Sequence, residues 1–268
     1  MTDQWTEVGD GVHVRRHRSL DLNIGAVICP GGILLIDTRA SHRQGRDLHR
    51  SLDAFGLPVR WVINTHHHWD HAFGNAVFEG SAIWGHARCA EALQEHGEAM
   101  RRSVVAMAPE HAAEFEEVVI RPPTFTFTTG SQVSFGGREV VLRHLGRGHT
   151  DNDTAVFVQD AGVVFAGDLI EEGAPPSFND SYPLEWPGTT AALAAASGGV
   201  VVPGHGAVVD AAFVNTQQAE LAEVASLARQ YHAEGLTPKA AAGRGGPYPV
   251  RVLADAFTRA WGHLEAGP

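Results

Sequence analysis

The sequence predicts a single-domain α/β (α+β) protein, because strands are followed by helices in each half of the chain. Short runs rich in Val and Ile are separated by Gly- and Pro-rich turns, a pattern typical of β-strands. Segments with apolar residues at helical spacing follow them. The 268 residues suffice for one domain, and this order fits two packed sheets covered by helices on both outer faces.

Periodicity and capping signals place the elements along the chain. The predicted strands cover residues 7–16, 21–29, 33–37, 59–63, 82–85, 124–127, 132–135, 139–145, 154–159 and 162–166. The predicted helices cover residues 42–55, 70–78, 87–107, 109–118, 187–196, 211–234 and 250–264. Residues 87–120 form a helical insertion that breaks the alternation, and residues 211–268 carry the C-terminal helices. We interpret the insertion as a packing element or a homodimer contact in preference to a lid.

The composition excludes several classes of partner. Lys and Arg number 20 against 31 Asp and Glu, so the net charge is −11 and the chain lacks the positive field of nucleic-acid-binding proteins. The N-terminus does not resemble a signal peptide, and no apolar run approaches the ~18 residues of a membrane span. Cys29 and Cys89 form neither a disulfide framework nor a CxxC motif. We expect a cytoplasmic protein that acts on a small molecule, with no nucleic-acid or membrane partner.

The segment with the strongest chemical signal follows the predicted buried strand at 59–63. It contains the pattern His-x-His-x-Asp-His, formed by His66, His68, Asp70 and His71. Imidazole nitrogen suits zinc and iron(II), and the carboxylate adds a harder oxygen ligand. In an extended segment, side chains two residues apart point the same way, so His66 and His68 can bind one ion together. Asp70 and His71 begin the predicted helix and can turn towards a second ion.

Three more candidate ligands follow other apolar runs. His149 comes after the strand at 139–145, Asp168 after the strand at 162–166, and His205 after the run Val200–Pro203. Strands that each deliver a ligand at the carboxyl end predict a site at one edge of a sheet, which is where α/β folds place their chemistry.

The order His-x-His-x-Asp-His, then His149, Asp168 and His205, resembles the metallo-β-lactamase superfamily, and in particular its glyoxalase II-like branch. The resemblance covers residues from about Val8 to His205. It implies a four-layer αββα sandwich, which periodicity alone does not indicate. It also implies that one metal is held by His66, His68 and His149, that the second is held by Asp70, His71 and His205, and that Asp168 bridges the two.

The resemblance further implies a hydrolase in which a hydroxide bridging two metal ions cleaves a small ester, thioester or lactone. Asp70 and Asp168 would then be catalytic as well as ligating. Two zinc ions per chain are the default because imidazole dominates the ligand set, and iron or manganese also fits such ligands. The alternatives are a mononuclear iron dioxygenase of the same fold and a β-lactamase-like amide hydrolase. Many β-lactamases of the superfamily place Cys or Ser where this chain has Asp168, which disfavours the second alternative.

The residues that contact substrate are encoded more weakly. Asp37 ends a predicted strand and is interpreted as orienting a neighbouring loop or histidine, with direct metal ligation as the alternative. Trp69 fits either the wall of a pocket or packing beneath the ligand loop. Arg147 fits either a substrate anion or the solvated surface. His67 and His144 are expected to face away from the metals.

The segment 171–186 follows Asp168 directly and combines aromatic residues with several Pro and Gly. Such a segment beside the metal edge fits a pocket wall, and the alternative is a surface loop held by its own aromatic residues. Within it, Tyr182 is the candidate for a hydroxyl that hydrogen-bonds an oxyanion.

Overall fold

The computed structural model describes residues 4–266, and its strands form two sheets. The seven-stranded sheet has the order β1-β2-β3-β4-β5-β6-β7 and the five-stranded sheet the order β12-β11-β10-β9-β8. The strands are β1 (Thr6–Gly9), β2 (Val12–Arg16), β3 (Asn23–Cys29), β4 (Gly32–Ile36), β5 (Val59–Ile63), β6 (Ala82–His86), β7 (Phe125–Phe127), β8 (Gly130–Phe135), β9 (Arg138–Arg143), β10 (Ala155–Val158), β11 (Val163–Glu171) and β12 (Val200–His205).

Helices cover the outer faces of both sheets. They are α1 (His42–Leu52), α2 (Trp69–Ala72), α3 (Ala87–Met107), α4 (Ala112–Glu116), α5 (Trp186–Ala196), α6 (Ala211–Ala233), α7 (Pro238–Ala242) and α8 (Val250–Ala266). Among residues 4–266, no helix is both long enough and apolar enough to cross a membrane.

Alternation along the strands shows which layer each face meets. In β11, Val163 and Phe165 pack between the two sheets, whereas Val164 points to the core formed with α5, α6 and α8. In β4, Leu34 faces the other sheet and Leu35 faces the core under α1. Because successive strand side chains point to opposite faces, each central strand contributes to two cores. The predicted four-layer αββα sandwich is confirmed.

Several predicted elements differ in extent from the observed ones, and two differ most clearly. The single strand predicted at 7–16 is the hairpin of β1 and β2, because Gly11 takes a positive φ of 61° in the turn between them. The helix predicted at 70–78 ends after one turn as α2. The backbone of Gly74 then lies so close to Thr38 that a Cβ there would come within 1.9 Å of the Thr38 carbonyl oxygen.

The insertion at 87–120 packs onto the protein's own surface. Leu93 of α3 and Phe115 of α4 are buried together with Phe73, beside the ligand loop. Glu114 accepts hydrogen bonds from Gln44 (3.1 Å) and Ser41 (2.5 Å), at the start of α1. The packing interpretation therefore accounts for the buried face of the insertion.

Candidate metal centre

The structure brings the seven predicted ligands together at one edge of the two sheets. His66 and His68 lie in the loop after β5, and α2 supplies Asp70 and His71. His149 lies in the loop after β9, and His205 ends β12. Asp168 lies inside β11 and not beyond its end, because the strand continues past an irregularity in its pairing at Gly167.

The first ligand group consists of His66, His68, His149 and Asp168, whose ligand atoms all lie within 4.8 Å of one another. His68 Nδ1 lies 3.1 Å from His66 Nε2 and 2.9 Å from His149 Nε2. Asp168 Oδ2 lies 3.4 Å from His149 Nε2 and 3.7 Å from His66 Nε2. Three imidazole nitrogens and one carboxylate oxygen therefore converge on a common volume.

The second ligand group consists of Asp70, His71 and His205, again with ligand atoms within 4.8 Å of one another. His205 Nε2 lies 3.3 Å from His71 Nε2 and 3.3 Å from Asp70 Oδ2. Asp168 reaches this group too, since its Oδ1 lies 3.2 Å from His71 Nε2 and its Oδ2 3.3 Å from His205 Nε2. The Asp168 carboxylate thus contacts both groups.

Hydrogen bonds on the outer nitrogens orient four of the histidines. His71 Nδ1 lies 2.8 Å from Asp37 Oδ2, and His68 Nε2 lies 2.9 Å from Asp180 Oδ2. His205 Nδ1 lies 2.7 Å from the Leu20 carbonyl oxygen. Carboxylates and carbonyls only accept, so in each pair the histidine donates, and in the neutral imidazole its inner nitrogen then carries a lone pair.

The His66 ring is fixed in the same way through an intermediate hydroxyl. Thr65 Oγ1 donates to Asp37 Oδ2 (2.7 Å) and can therefore accept from His66 Nδ1, 3.1 Å away. In their neutral forms, the inner nitrogens of His66, His68, His71 and His205 are then acceptors that face other acceptors. Such an arrangement is unfavourable without a cation between them, and neutral imidazoles oriented by carboxylates are a usual form of metal ligand.

Asp168 supplies a second observation that fits a bound cation. Its Oδ1 is buried and has no hydrogen-bond partner among the described residues. The carboxylate fits only because position 204 is glycine, where a Cβ would come within 1.8 Å of Asp168 Oδ1. A buried carboxylate without a donor is costly, and coordination to a metal removes that cost. The ligand residues therefore fit the metal ions that the sequence predicts.

The pKa shifts of the ligand residues also favour a bound cation. Burial lowers the pKa of His149 to about 4, so its imidazole is neutral at pH 7. Burial also disfavours charge on His205, but the carboxylates of Asp168 and Asp70 outweigh it and raise its pKa to about 12. Burial would raise the pKa of Asp70, yet His71 and His205 lower it to about 2. The carboxylates thus create a potential that favours positive charge in the second group.

A cavity of about 670 Å³ opens over both groups. Its lining includes Asp70, His149 and Asp168, together with Trp69 and Met100. Trp69 also packs edge-on against Phe115, with ring centroids 5.6 Å apart. Both interpretations of Trp69 therefore hold, because one part of the side chain packs and another lines the cavity.

The segment between β11 and α5 forms one wall of this cavity, as the pocket interpretation predicts. Glu172, Ser177 and Asn179 line it. The segment is also anchored by its own aromatic residues, since Phe178 and Trp186 are buried with ring centroids 5.4 Å apart. The aromatic residues hold the loop and the polar residues face the cavity.

Tyr182 and Arg147 are not brought to the ligand groups. Tyr182 lines a neighbouring cavity of about 360 Å³, and its ring stacks on His263 with centroids 5.0 Å apart. Arg147 lies over the other face of that ring, 4.6 Å from its centroid, and pairs with Glu185. The catalytic role of Tyr182 stays a prediction that this geometry does not favour, and Arg147 fits its surface interpretation.

Asp37 has the orienting position that the sequence indicates. Besides contacting His71, it accepts from the Thr65 backbone N–H through Oδ1 at 2.8 Å. His144 lies away from the ligand groups, with Nδ1 2.9 Å from the Asp153 carbonyl oxygen. His67 lines the cavity and lies 3.7 Å from Asp180 Oδ2, and it belongs to neither ligand group that Asp168 contacts, so its facing away from the metals stays a prediction.

Two cavity residues were not predicted. Asp180 orients His68, and Arg259 of α8 donates to its backbone carbonyl at 3.0 Å. Glu171 is buried in the cavity wall, where burial and the neighbouring Asp168 raise its pKa to about 8. The only sequence signal for either was membership of the segment 171–186.

Comparison with known proteins identifies the family. A family model described as the metallo-beta-lactamase superfamily matches residues 23–226, which is more than half of the chain. The chain belongs to the metallo-beta-lactamase superfamily. Because the chain belongs to this superfamily and carries two groups of candidate metal ligands, the protein is a metal-dependent hydrolase.

Relatives and solved structures are similar at low identity. The metallo-beta-lactamase IND-1 of Chryseobacterium indologenes is 24% identical over 182 residues, which cover 65% of this chain and 67% of that protein. The crystal structure of DIM-1 metallo-beta-lactamase aligns with a TM-score of 0.65 at 16% identity, over 82% of this chain and 96% of that one. The mono-zinc form of FIM-1 from Pseudomonas aeruginosa gives 0.61 at 22% identity, over 82% and 94%. These structures share the fold of this superfamily member, and they do not single out its glyoxalase II-like branch.

Proposed function

We propose that this protein hydrolyses a small ester, thioester or lactone at a centre of two metal ions, with zinc as the default metal. The observation that supports this most strongly is Asp168, whose two carboxylate oxygens face both ligand groups. A carboxylate in that position can bind two ions at once. The glyoxalase II-like assignment rests on the same residue.

The chain's residues would divide the work as follows. The first group, His66, His68 and His149 with Asp168, would hold one ion, and Asp70, His71 and His205 would hold the other. Two ions at such a site lower the pKa of bound water towards 7 and polarise a substrate oxygen. Asp37 and Asp180 orient His71 and His68, and buried Thr65 couples Asp37 to His66. The cavity wall at 172–180 would bind the remainder of the substrate.

A β-lactamase-like amide hydrolase is the second candidate, because the named relatives are metallo-beta-lactamases. A mononuclear iron dioxygenase is the third. The second ligand group disfavours it, since Asp70, His71 and His205 lie within coordinating distance of one another and form a complete additional set. Cytoplasmic location and homodimer formation also stay proposals.

The test combines metal analysis with a substrate panel. Purified protein reconstituted in parallel with zinc, iron and manganese should bind close to two ions per chain. The zinc form should then hydrolyse members of a panel of lactones, thioesters, aryl esters, phosphodiesters and penicillins, with lactones or esters preferred. One iron per chain with oxygen consumption would establish the dioxygenase, and preferred turnover of the penicillins would establish the β-lactamase.

A further inference from the structure

The cavity over the ligand groups is walled by acids. Its lining includes six carboxyl-bearing residues, namely Asp21, Asp70, Asp168, Glu171, Glu172 and Asp180. Asp70 and Asp168 belong to the ligand groups, and Glu171 is buried with its carboxyl hydrogen-bonded to the Ser177 backbone N–H. Asp21, Glu172 and Asp180 therefore remain to face a substrate. Within residues 4–266, neither Lys nor Arg lines this cavity.

Two arginines outside the cavity lining, Arg16 and Arg259, contact residues of this wall. Arg16 makes a bidentate contact with Asp21, with both N–O distances at 2.5 Å, and its Nη2 lies 4.0 Å from Glu172 Oε2. Arg259 donates to the backbone carbonyls of Asp180 and Ser181 at 3.0 and 3.2 Å. Each guanidinium contacts a residue of the cavity wall, and neither guanidinium belongs to the cavity lining.

The rest of the lining is partly apolar. Leu20 is 48% exposed at the mouth of the cavity, and Trp69 and Met100 line it as well. Trp69 and Met100 are half-buried, and apolar side chains that line a cavity beside a polar reaction centre are typical of a surface that binds the non-reacting part of a small molecule. The cavity therefore offers apolar contacts and negative charge, without a Lys or Arg in its lining.

We propose that this site selects esters, thioesters or lactones whose non-reacting part is uncharged or cationic, and that it rejects substrates carrying a carboxylate. The inference rests on the proposed function and names its substrate class. A carboxylate in the cavity would face Asp21, Glu172 and Asp180 and would find no Lys or Arg side chain in the lining, which is selectivity by repulsion. Penicillins carry a carboxylate beside the reactive amide, so the same wall disfavours them.

Three 4-nitrophenyl esters of matched length test this selectivity in the zinc-loaded protein: the butyrate, the anionic hemisuccinate and the cationic 4-(trimethylammonio)butyrate. At low salt, kcat/KM for the anionic ester should be at least roughly tenfold below that for the neutral ester, and the cationic ester should equal or exceed the neutral one. The difference should shrink in 0.5 M salt, about where screening becomes short-ranged. An anionic ester hydrolysed as fast as the neutral one would overturn the inference.

A matched pair of variants locates the effect. Asp21→Asn removes one wall charge and frees Arg16, and Asn tolerates the positive φ of 58° at this position. Asp160→Asn removes the same charge from a surface residue outside the cavity lining, whose partner Arg138 lies 3.1 Å away and also donates to the backbone carbonyls of Asp10 and Ile28. Asp21→Asn should raise the relative kcat/KM for the anionic ester several-fold, and Asp160→Asn should leave it unchanged. Equal shifts in both would show that net charge, not the wall, is responsible.

A binding measurement separates this inference from the proposed function. The thiols 2-mercaptoethanol and 3-mercaptopropionate both offer sulfur to zinc and differ in charge, and their affinities need no turnover. If no ester is hydrolysed, the proposed function fails. The wall argument then stands only if zinc-loaded protein binds the neutral thiol at least severalfold tighter and Asp21→Asn narrows that ratio. Equal affinities, or a ratio that Asp21→Asn leaves unchanged, would refute it.

Discussion

The two ligand groups lie side by side but differ in how the chain holds them. In the first group, His68 is oriented by Asp180, whose side chain is 45% exposed on a loop supported by α8. In the second, His71 is oriented by Asp37, whose side chain is only 3% exposed. The second group is thus built into the sheet interior, and the first depends on a loop that also lines the substrate cavity.

The groups differ in charge as well as in support. Burial dominates at His149 and lowers its pKa, whereas two carboxylates dominate at His205 and raise its pKa. In the first group His149 is therefore a neutral ligand, whereas at His68 burial is outweighed by the Asp180 carboxylate, which raises the pKa, and the second group contributes negative charge through Asp70. Asp168 contacts both ligand groups, so a substitution of Asp168 tests the difference between the groups most directly.

The largest effect is expected from Asp168→Asn. The neutral amide no longer offers two charged oxygens, so the second ion, held by Asp70, His71 and His205, should leave first. Turnover should fall roughly 100-fold or more, since each 1.4 kcal/mol of lost stabilisation is about tenfold in rate. Elemental analysis and turnover on the best ester should be measured together. Retention of both ions with near-normal turnover would mean that Asp168 is not a bridge.

The next effect compares the two orienting carboxylates. Asp37→Asn should weaken binding of the ion held by the second group about 10- to 100-fold, because the substitution disturbs the buried contacts to His71 and Thr65. Asp180→Asn should weaken binding of the ion held by the first group less, because water can replace the half-exposed Asp180 carboxylate beside His68. Chelator competition measures both. A larger loss in Asp180→Asn would reverse the ranking of the two groups.

The charge difference predicts a pH dependence of the metal-free protein. The pKa of His149 is about 4 when folded, below its unfolded value of about 6.5. Its contribution to stability is therefore complete above about pH 6.5 and is lost as the pH falls towards 4, about 2 kcal/mol between pH 7 and 5. The raised pKa of His205 acts oppositely, stabilising most below about pH 6.5 and losing effect as the pH rises towards 12. Histidine NMR of the metal-free protein should show neutral His149 and protonated His205 at pH 7. The same protonation state for both histidines would contradict the proposed charge difference between the groups.

The smallest effects are expected from two neighbours of the ligand groups. His67→Gln and Cys89→Ala should leave bound metal nearly unchanged, because neither side chain belongs to the groups that contact Asp168. His67 Nδ1 accepts a hydrogen bond from Asn152 Nδ2 at 2.9 Å, and Cys89 is a buried free thiol. Elemental analysis of both variants checks this. Loss of one ion in either variant would show that the ligand groups are assigned wrongly.

The ligand set was predictable because each ligand follows an apolar run and four of the seven lie within six residues. The orienting role of Asp37 was predictable for a similar reason, since it ends a strand that runs parallel beside β5. Helix and strand ends were predicted less well. The early end of α2 depends on the close approach of Gly74 to Thr38, which lies far away in the sequence.

The sequence by itself predicted the fold class, the candidate ligand residues and the family, because local periodicity and ligand spacing are written along the chain. Only the tertiary structure decided that Asp180 orients His68, that Tyr182 stacks on His263 away from the ligand groups, and that Arg16 is paired behind the cavity wall. These facts depend on where α8 and the loop before α5 come to rest against the two sheets. Such placements follow from packing between segments distant in sequence, and no local pattern records them.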